Sequence, residues 1–183
     1  MSHFEDFEKM FGPAENCEKP DAATITQYEN VLPAELLDQW RETGWCSYGK
    51  GLLWLTDPKQ FDDVLDDWVE IVPEKGTVFL RSAFAHLYMW RDGYVYSLDV
   101  QQGSLSQVTK NVARMFTLLC EPDVQEKMLR KSLFDEVLPR LGPPARDECY
   151  AFEPALALGG PGTADTVQRV KIREHLAILS QLV

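Results

Sequence analysis

Asp92-Gly93 stands between two aromatic-rich runs, HLYMWR (86–91) and YVYSLDV (94–100). That dipeptide suits the two central positions of a type I′ turn, where both residues need positive φ, and such a turn matches the twist of paired strands. The two runs are therefore expected to form an antiparallel hairpin. Alternation then sends Leu87, Met89 and Arg91 one way and His86, Tyr88 and Trp90 the other. Residues 77–81 read as a strand before it, with Val78 and Leu80 alternating with Thr77, Phe79 and Arg81. After Gln101-Gln102-Gly103, residues 104–108 read as a last strand or bridge.

The stretch 31–69 precedes this hairpin and looks like the packing centre of the first half. Pro33 suits a first helical position, and Leu36, Leu37 and Trp40 follow at helical spacing. Gly44 is placed to end that helix in the left-handed conformation, and Trp45 opens the next segment. Leu52, Leu53, Trp54 and Leu55 form a short apolar run of the kind a buried strand has. Asp57-Pro58 then predicts a new helix, with Asp57 as N-cap and Pro58 as first residue. Its apolar face is Phe61, Val64, Leu65, Trp68 and Val69, and its outer face is Asp62, Asp63, Asp66, Asp67 and Glu70.

Around these features the chain is punctuated clearly. Ser2 can cap a helix striped by Phe4, Phe7 and Phe11, with Met10, ending at Gly12-Pro13. Residues 14–23 read as a loop and 24–30 as a short helix. Thr109 is placed to cap a helix with Val112, Met115, Phe116 and Leu119 on one face. Helical spacing resumes from Glu121, with a bend near Ser132 and a stop at Gly142-Pro143-Pro144. Residues 149–152 could be extended. A loop from Pro154 to Gly162 follows, and a helix over 171–182 that buries Ile172, Leu176, Leu179 and Leu182 closes the chain. The expected class is α+β: an antiparallel sheet with flanking helices in residues 1–102, packed against a mostly helical part, residues 103–183.

Composition narrows the function classes. The chain has 183 residues, 45% hydrophobic and 26% charged, as ordinary globular proteins do. It holds no apolar run near the ~18–20 residues of a membrane helix. The acidic start, MSHFEDFEKMF, does not read as a secretory signal. The net charge of −11 is placed unevenly: residues 1–100 hold 19 acidic and 8 basic side chains, whereas residues 101–183 hold 10 of each. Such a first half repels phosphates, so nucleic acid and anionic membranes are poor partners and a basic protein is a good one. Cys17, Cys46, Cys120 and Cys149 are scattered and form no Cys-x-x-Cys pair, so reduced, mostly buried thiols in a cytoplasmic protein are expected.

Motifs for chemistry are missing. His3, His86 and His175 lie at no metal-ligand spacing from one another or from a cysteine. Gly159-Gly160-Pro161-Gly162 lacks the Lys-Ser/Thr of a phosphate loop, and no serine sits in a nucleophile elbow. No metal, cofactor or catalytic residue is implied, and a binding role is favoured over an enzyme. The acidic face Asp62, Asp63, Asp66, Asp67 and Glu70 sets like charges at i, i+4 spacing, which weakens a helix slightly. Its simplest reading is a solvated face. The sharper one is a docking surface, where opposite charge speeds encounter and fixes register. The loop at Gly159, Gly160 and Gly162 is a second candidate contact, since loops diverge freely around a fixed scaffold.

Several motifs carry a family resemblance. The Phe7…Phe11-Gly12-Pro13, Leu32-Pro33…Leu36-Leu37…Trp40…Gly44-Trp45 and Gly51…Trp54-Leu55…Asp57-Pro58 patterns resemble the bacterial GAD-like domain. Tyr150…Phe152…Pro154…Leu156…Leu158-Gly159-Gly160 and His175-Leu176…Ile178-Leu179…Gln181-Leu182 resemble the small domain that often follows it. The resemblance implies a cytoplasmic immunity protein of the type VI secretion system that binds and blocks a cognate antibacterial toxin, often a DNase. A DNase cleft must be basic to hold phosphates, so an acidic inhibitor suits it. The family brings no catalytic residues. An alternative is a translation-linked accessory, because the true GAD domain occurs in tRNA-dependent enzymes; a basic stripe would be its mark, and residues 1–100 show the opposite.

Overall fold

The computed structural model describes residues 3–183. Its architecture is α+β, built on one seven-stranded antiparallel sheet in the order β1-β2-β3-β4-β5-β6-β7. The strands are β1 (Glu15–Glu18), β2 (Trp45–Tyr48), β3 (Leu53–Leu55), β4 (Thr77–Ser82), β5 (Leu87–Arg91), β6 (Tyr94–Asp99) and β7 (Ser104–Thr109). The central hairpin forms as expected: Asp92 and Gly93 take φ of 50° and 81°, and the register runs from Arg91↔Tyr94 to Leu87↔Leu98. Helices α1 (His3–Phe11), α2 (Ala22–Tyr28) and α3 (Ala34–Glu42) come before or between the early strands. After β7 come α4 (Val112–Leu119), the single turn α5 (Pro122–Val124), a π-helical turn at Gln125–Leu129 and α6 (Lys131–Leu141). A hairpin of β8 (Glu148–Phe152) and β9 (Val167–Lys171) leads into α7 (Ile172–Leu179).

Both faces of the sheet are buried, which is why the hairpin is apolar on both sides. One core gathers Phe7, Leu36, Trp40, Leu53, Leu55, Tyr88, Val95, Phe116 and Phe134 beneath the helices. The other gathers Val78, Leu87, Met89 and Leu98 beneath Phe61, Val64, Leu65, Trp68 and α7. In β4 the simple alternation fails. A register shift between Val78 and Leu80 sends Val78 to the second core, while Leu80 joins the first.

Several expectations are corrected here. Residues 15–18 are an edge strand rather than loop; all four side chains are exposed, so no alternation marks it. Its pairing with β2 sets Glu15 opposite Ser47 and Glu18 opposite Trp45, which brings the Cys17 and Cys46 Cα atoms to 4.2 Å in a disulfide. Only Cys120 and Cys149 are free thiols. The cap of α4 is Asn111, which accepts from the Arg114 N–H (3.0 Å), not Thr109. Strand β9 was hidden in what reads as the approach to the last helix. The bend near Ser132 is Arg130, in the left-handed region at φ 52°. The cap expected from Ser2 lies outside the described residues.

The second half is fastened to the first by hydrogen bonds as well as by the shared cores. The Tyr150 N–H donates to the Ala83 carbonyl (2.7 Å), joining β8 to the chain just past β4. Arg81, fully buried, donates through Nη2 to the Ala145 (3.0 Å) and Arg146 (2.9 Å) carbonyls. Arg146 in turn donates through Nη2 to the Asn16 (2.6 Å) and Trp45 (3.3 Å) carbonyls. Among the described residues no helix is long and apolar enough to cross a membrane.

Candidate interaction surface

The acidic segment starts as its sequence indicates. The Asp57 side chain accepts from the Lys59 N–H (3.0 Å), and Pro58 opens the first turn. It then departs from the expected α-helix: Pro58–Gln60 and Val64–Trp68 are 3₁₀ turns with a looser connection between them. Aspartate, valine and the aromatic residues are weak helix formers, so tertiary packing sets the backbone. Val72 lies beyond the second 3₁₀ turn and packs into the second core. Phe61, Val64, Leu65 and Trp68 are buried as expected, but Val69 is 57% exposed and Val72, at 1%, takes the inward place.

Asp62, Asp63, Asp66, Asp67 and Glu70 are all exposed, so the acidic face exists, though not as one α-helical stripe. Two of the five are engaged by cations. Arg173 of α7 forks onto Asp63, Nη1–Oδ1 3.1 Å and Nη2–Oδ2 2.5 Å, and also donates to the Gln60 carbonyl (2.7 Å). That guanidinium holds the Asp63 carboxyl below its ordinary value, and the carboxylate raises Arg173 in return. Lys75 pairs with Asp66 and donates to the Asp62 carbonyl (3.1 Å). Asp62, Asp67 and Glu70 form no salt bridge among the described residues. Half-buried Asp57 is pushed above its usual range by desolvation.

The second candidate, the loop around Gly159, Gly160 and Gly162, is a built turn. A 3₁₀ turn at Leu156–Leu158 ends with Gly159 at φ 82°. The Gly160 N–H donates to the Ala155 carbonyl (3.1 Å), and a β-carbon on Gly160 would stand 2.0 Å from the Pro154 carbonyl oxygen. Only glycine fits that approach. Gly162 is also left-handed, at φ 68°. Arg140 steadies the far side by donating to the Ala164 (2.6 Å) and Val167 (2.9 Å) carbonyls.

Helix α7 stands between the two candidates. Ile172, Leu176 and Leu179 point into the second core. Arg173 reaches the acidic segment from one flank, while Glu174 and Ile178 line a groove against the glycine loop on the other. Sequence reasoning overlooked α7 as a scaffold for both. The available signal was Ile178, an apolar residue out of phase with the buried positions of that helix.

His175, buried, and His86, partly buried, serve the fold. Desolvation lowers both His86 and His175 to about 4. His86 Nε2 lies 2.6 Å from Ser97 Oγ, and His175 Nε2 lies 3.3 Å from Gln101 Nε2. Among the described residues no three His, Cys, Asp or Glu side chains converge as a metal site would require.

Residues 2–103 match the family model of the GAD-like domain. The chain belongs to the GAD-like family. Behind its GAD-like half, residues 109–183 match the model described as T6SS immunity protein Tdi1, C-terminal. Strand β7 falls across the join, hydrogen-bonded to the GAD-like sheet. No curated protein matches the chain. The crystal structure of Atu4351 from Agrobacterium tumefaciens is similar over 98% of this chain and 89% of its own, with a TM-score of 0.83 and 19% identity. At that identity the likeness shows the fold alone.

Proposed function

We propose that this GAD-like protein is a non-enzymatic type VI secretion immunity protein that binds and inhibits a cognate antibacterial toxin in the cytoplasm of the producing cell. The match of residues 109–183 to an immunity-protein C-terminal domain carries this reading. The toxin we favour is a nuclease, because the acidic excess of the first half complements a phosphate-binding cleft. Contact is assigned to Asp62, Asp63, Asp66, Asp67 and Glu70, and to the loop at Gly159, Gly160 and Gly162. Of the five carboxylates, Asp62, Asp67 and Glu70 are the ones available to a partner's cations. A tRNA-linked role has less support, since phosphates would meet the same negative field.

The test starts from the product of the gene immediately upstream: if it cleaves plasmid DNA, it is titrated with purified protein. Neutralisation at one equivalent is expected. The triple charge reversal Asp62→Lys, Asp67→Lys, Glu70→Lys should slow association about tenfold at low salt, with a smaller effect at high salt. An unchanged on-rate and unchanged neutralisation would remove the acidic segment from the interface.

A further inference from the structure

Two of the large apolar side chains left in solvent face one groove. Leu158, 65% exposed, projects from the glycine loop, and Ile178, 57% exposed, projects from α7. Between them is a cleft of about 260 Å³ floored by Phe152, His175 and Leu179. Isolated apolar side chains on a surface need no explanation; a pair across a concave apolar cleft does. The walls are stiff on both sides. The loop is locked by Gly160 against the Pro154 carbonyl and by the Leu158 N–H donating to the Ala155 carbonyl (3.0 Å). The helix is anchored by three core side chains and the Arg173–Asp63 fork. A preformed cleft of this kind loses little conformational freedom on binding.

The charge at its mouth says what enters. Glu153 and Glu174 line the cleft, both exposed, and neither forms a salt bridge among the described residues. Lys171 also lines the cleft, but its ammonium holds Asp147 (2.5 Å) and lies 3.9 Å from Glu148, while Arg173 holds Asp63; Glu174 acts on both cations only through its field, without a salt bridge among the described residues. An apolar cleft with two carboxylates free at its rim complements an apolar side chain carried next to a cation.

Resting on the immunity reading above, we propose that this groove is the anchor site for the toxin: it takes one large apolar side chain of a toxin segment, with an adjacent arginine or lysine seated between Glu153 and Glu174. The acidic segment on the other flank of α7 then governs how fast the partners meet, and the groove governs how long they stay.

The experiment is surface plasmon resonance with the nuclease identified by that cleavage assay, in a catalytically dead form, alongside sedimentation of the free protein. Leu158→Asp and Ile178→Asp each place a charge at an exposed position, so both variants should fold, as near-unchanged melting temperatures would confirm. Each is expected to raise Kd at least a hundredfold, mainly through faster dissociation. Glu153→Lys with Glu174→Lys should raise it about tenfold. A Kd within threefold of wild type for both Asp variants would overturn the groove while leaving the immunity reading intact. Wild-type protein that fails to bind the toxin would instead sink the immunity reading, and the groove's role with it. Wild-type dimers that become monomers on Ile178→Asp would also overturn the proposal, by showing that a second copy fills the groove.

Discussion

Arg81 is the residue whose burial is hardest to account for without the second half of the chain. Desolvation lowers its guanidinium to about 10, still protonated at neutral pH. Among the described residues no carboxylate forms a salt bridge with it, Asp147 acting only at longer range; its hydrogen-bond partners are the Ser82, Ala145 and Arg146 carbonyls, and the guanidinium also lies 5.3 Å from the Trp54 ring centroid. Truncation would remove a fully buried side chain and its three hydrogen bonds, so Arg81→Ala should cost about 3 kcal/mol in urea unfolding. Arg81→Lys should recover little of this, because an ammonium cannot reproduce the planar fork. His86 and His175 set a pH dependence. A folded pKa of about 4 against an unfolded value of 6.5 means the unfolded chain binds more protons between those pH values. Stability is therefore fully present above pH 6.5 and falls as the pH drops toward 4, at about 1.4 kcal/mol per unit for each histidine where fully expressed. His175→Gln should flatten that slope in denaturant titrations from pH 7 to pH 4.5.

Among the elements, the acidic segment carries two valines of opposite burial. Val69 is 57% exposed, whereas Val72 is 1% exposed. Val72→Ala is expected to cost about 2 kcal/mol and Val69→Ala close to nothing, as measured by chemical denaturation. The reverse order would show that the segment packs through Val69 instead. The glycine loop makes a similar distinction. Gly160→Ala drives a β-carbon into a backbone carbonyl that cannot swing aside, so a loss of about 1–3 kcal/mol is expected. It should be accompanied by weaker toxin binding if the loop forms a wall of the groove.

At the scale of the whole molecule, the two halves share their cores and should unfold together. All five tryptophans lie in the first half, whereas Leu176 lies in α7 of the second. Leu176→Ala, which removes a fully buried side chain from the second core, should cost about 3 kcal/mol. The melting midpoints from tryptophan fluorescence and far-UV circular dichroism should fall by the same amount. Two separated transitions would show that the GAD-like half folds without the helix that covers it.

The sequence determined what local chemistry can settle. Asp92-Gly93 specified the hairpin because few dipeptides tolerate two positive φ values. The spacing of Leu36, Leu37 and Trp40 specified α3, and the run of carboxylates from Asp62 to Glu70 specified an acidic exterior. Strand β1 was not legible, because an exposed edge strand carries no burial pattern and exists only through its pairing with β2. The Cys17–Cys46 link follows from that same register and from nothing local. Only the tertiary structure showed that Val69 stays in solvent while Val72 packs into the second core, since contacts with the sheet and α7 set the backbone there. Tertiary structure also brought Leu158 and Ile178, twenty residues apart and unremarkable singly, to face each other across one groove.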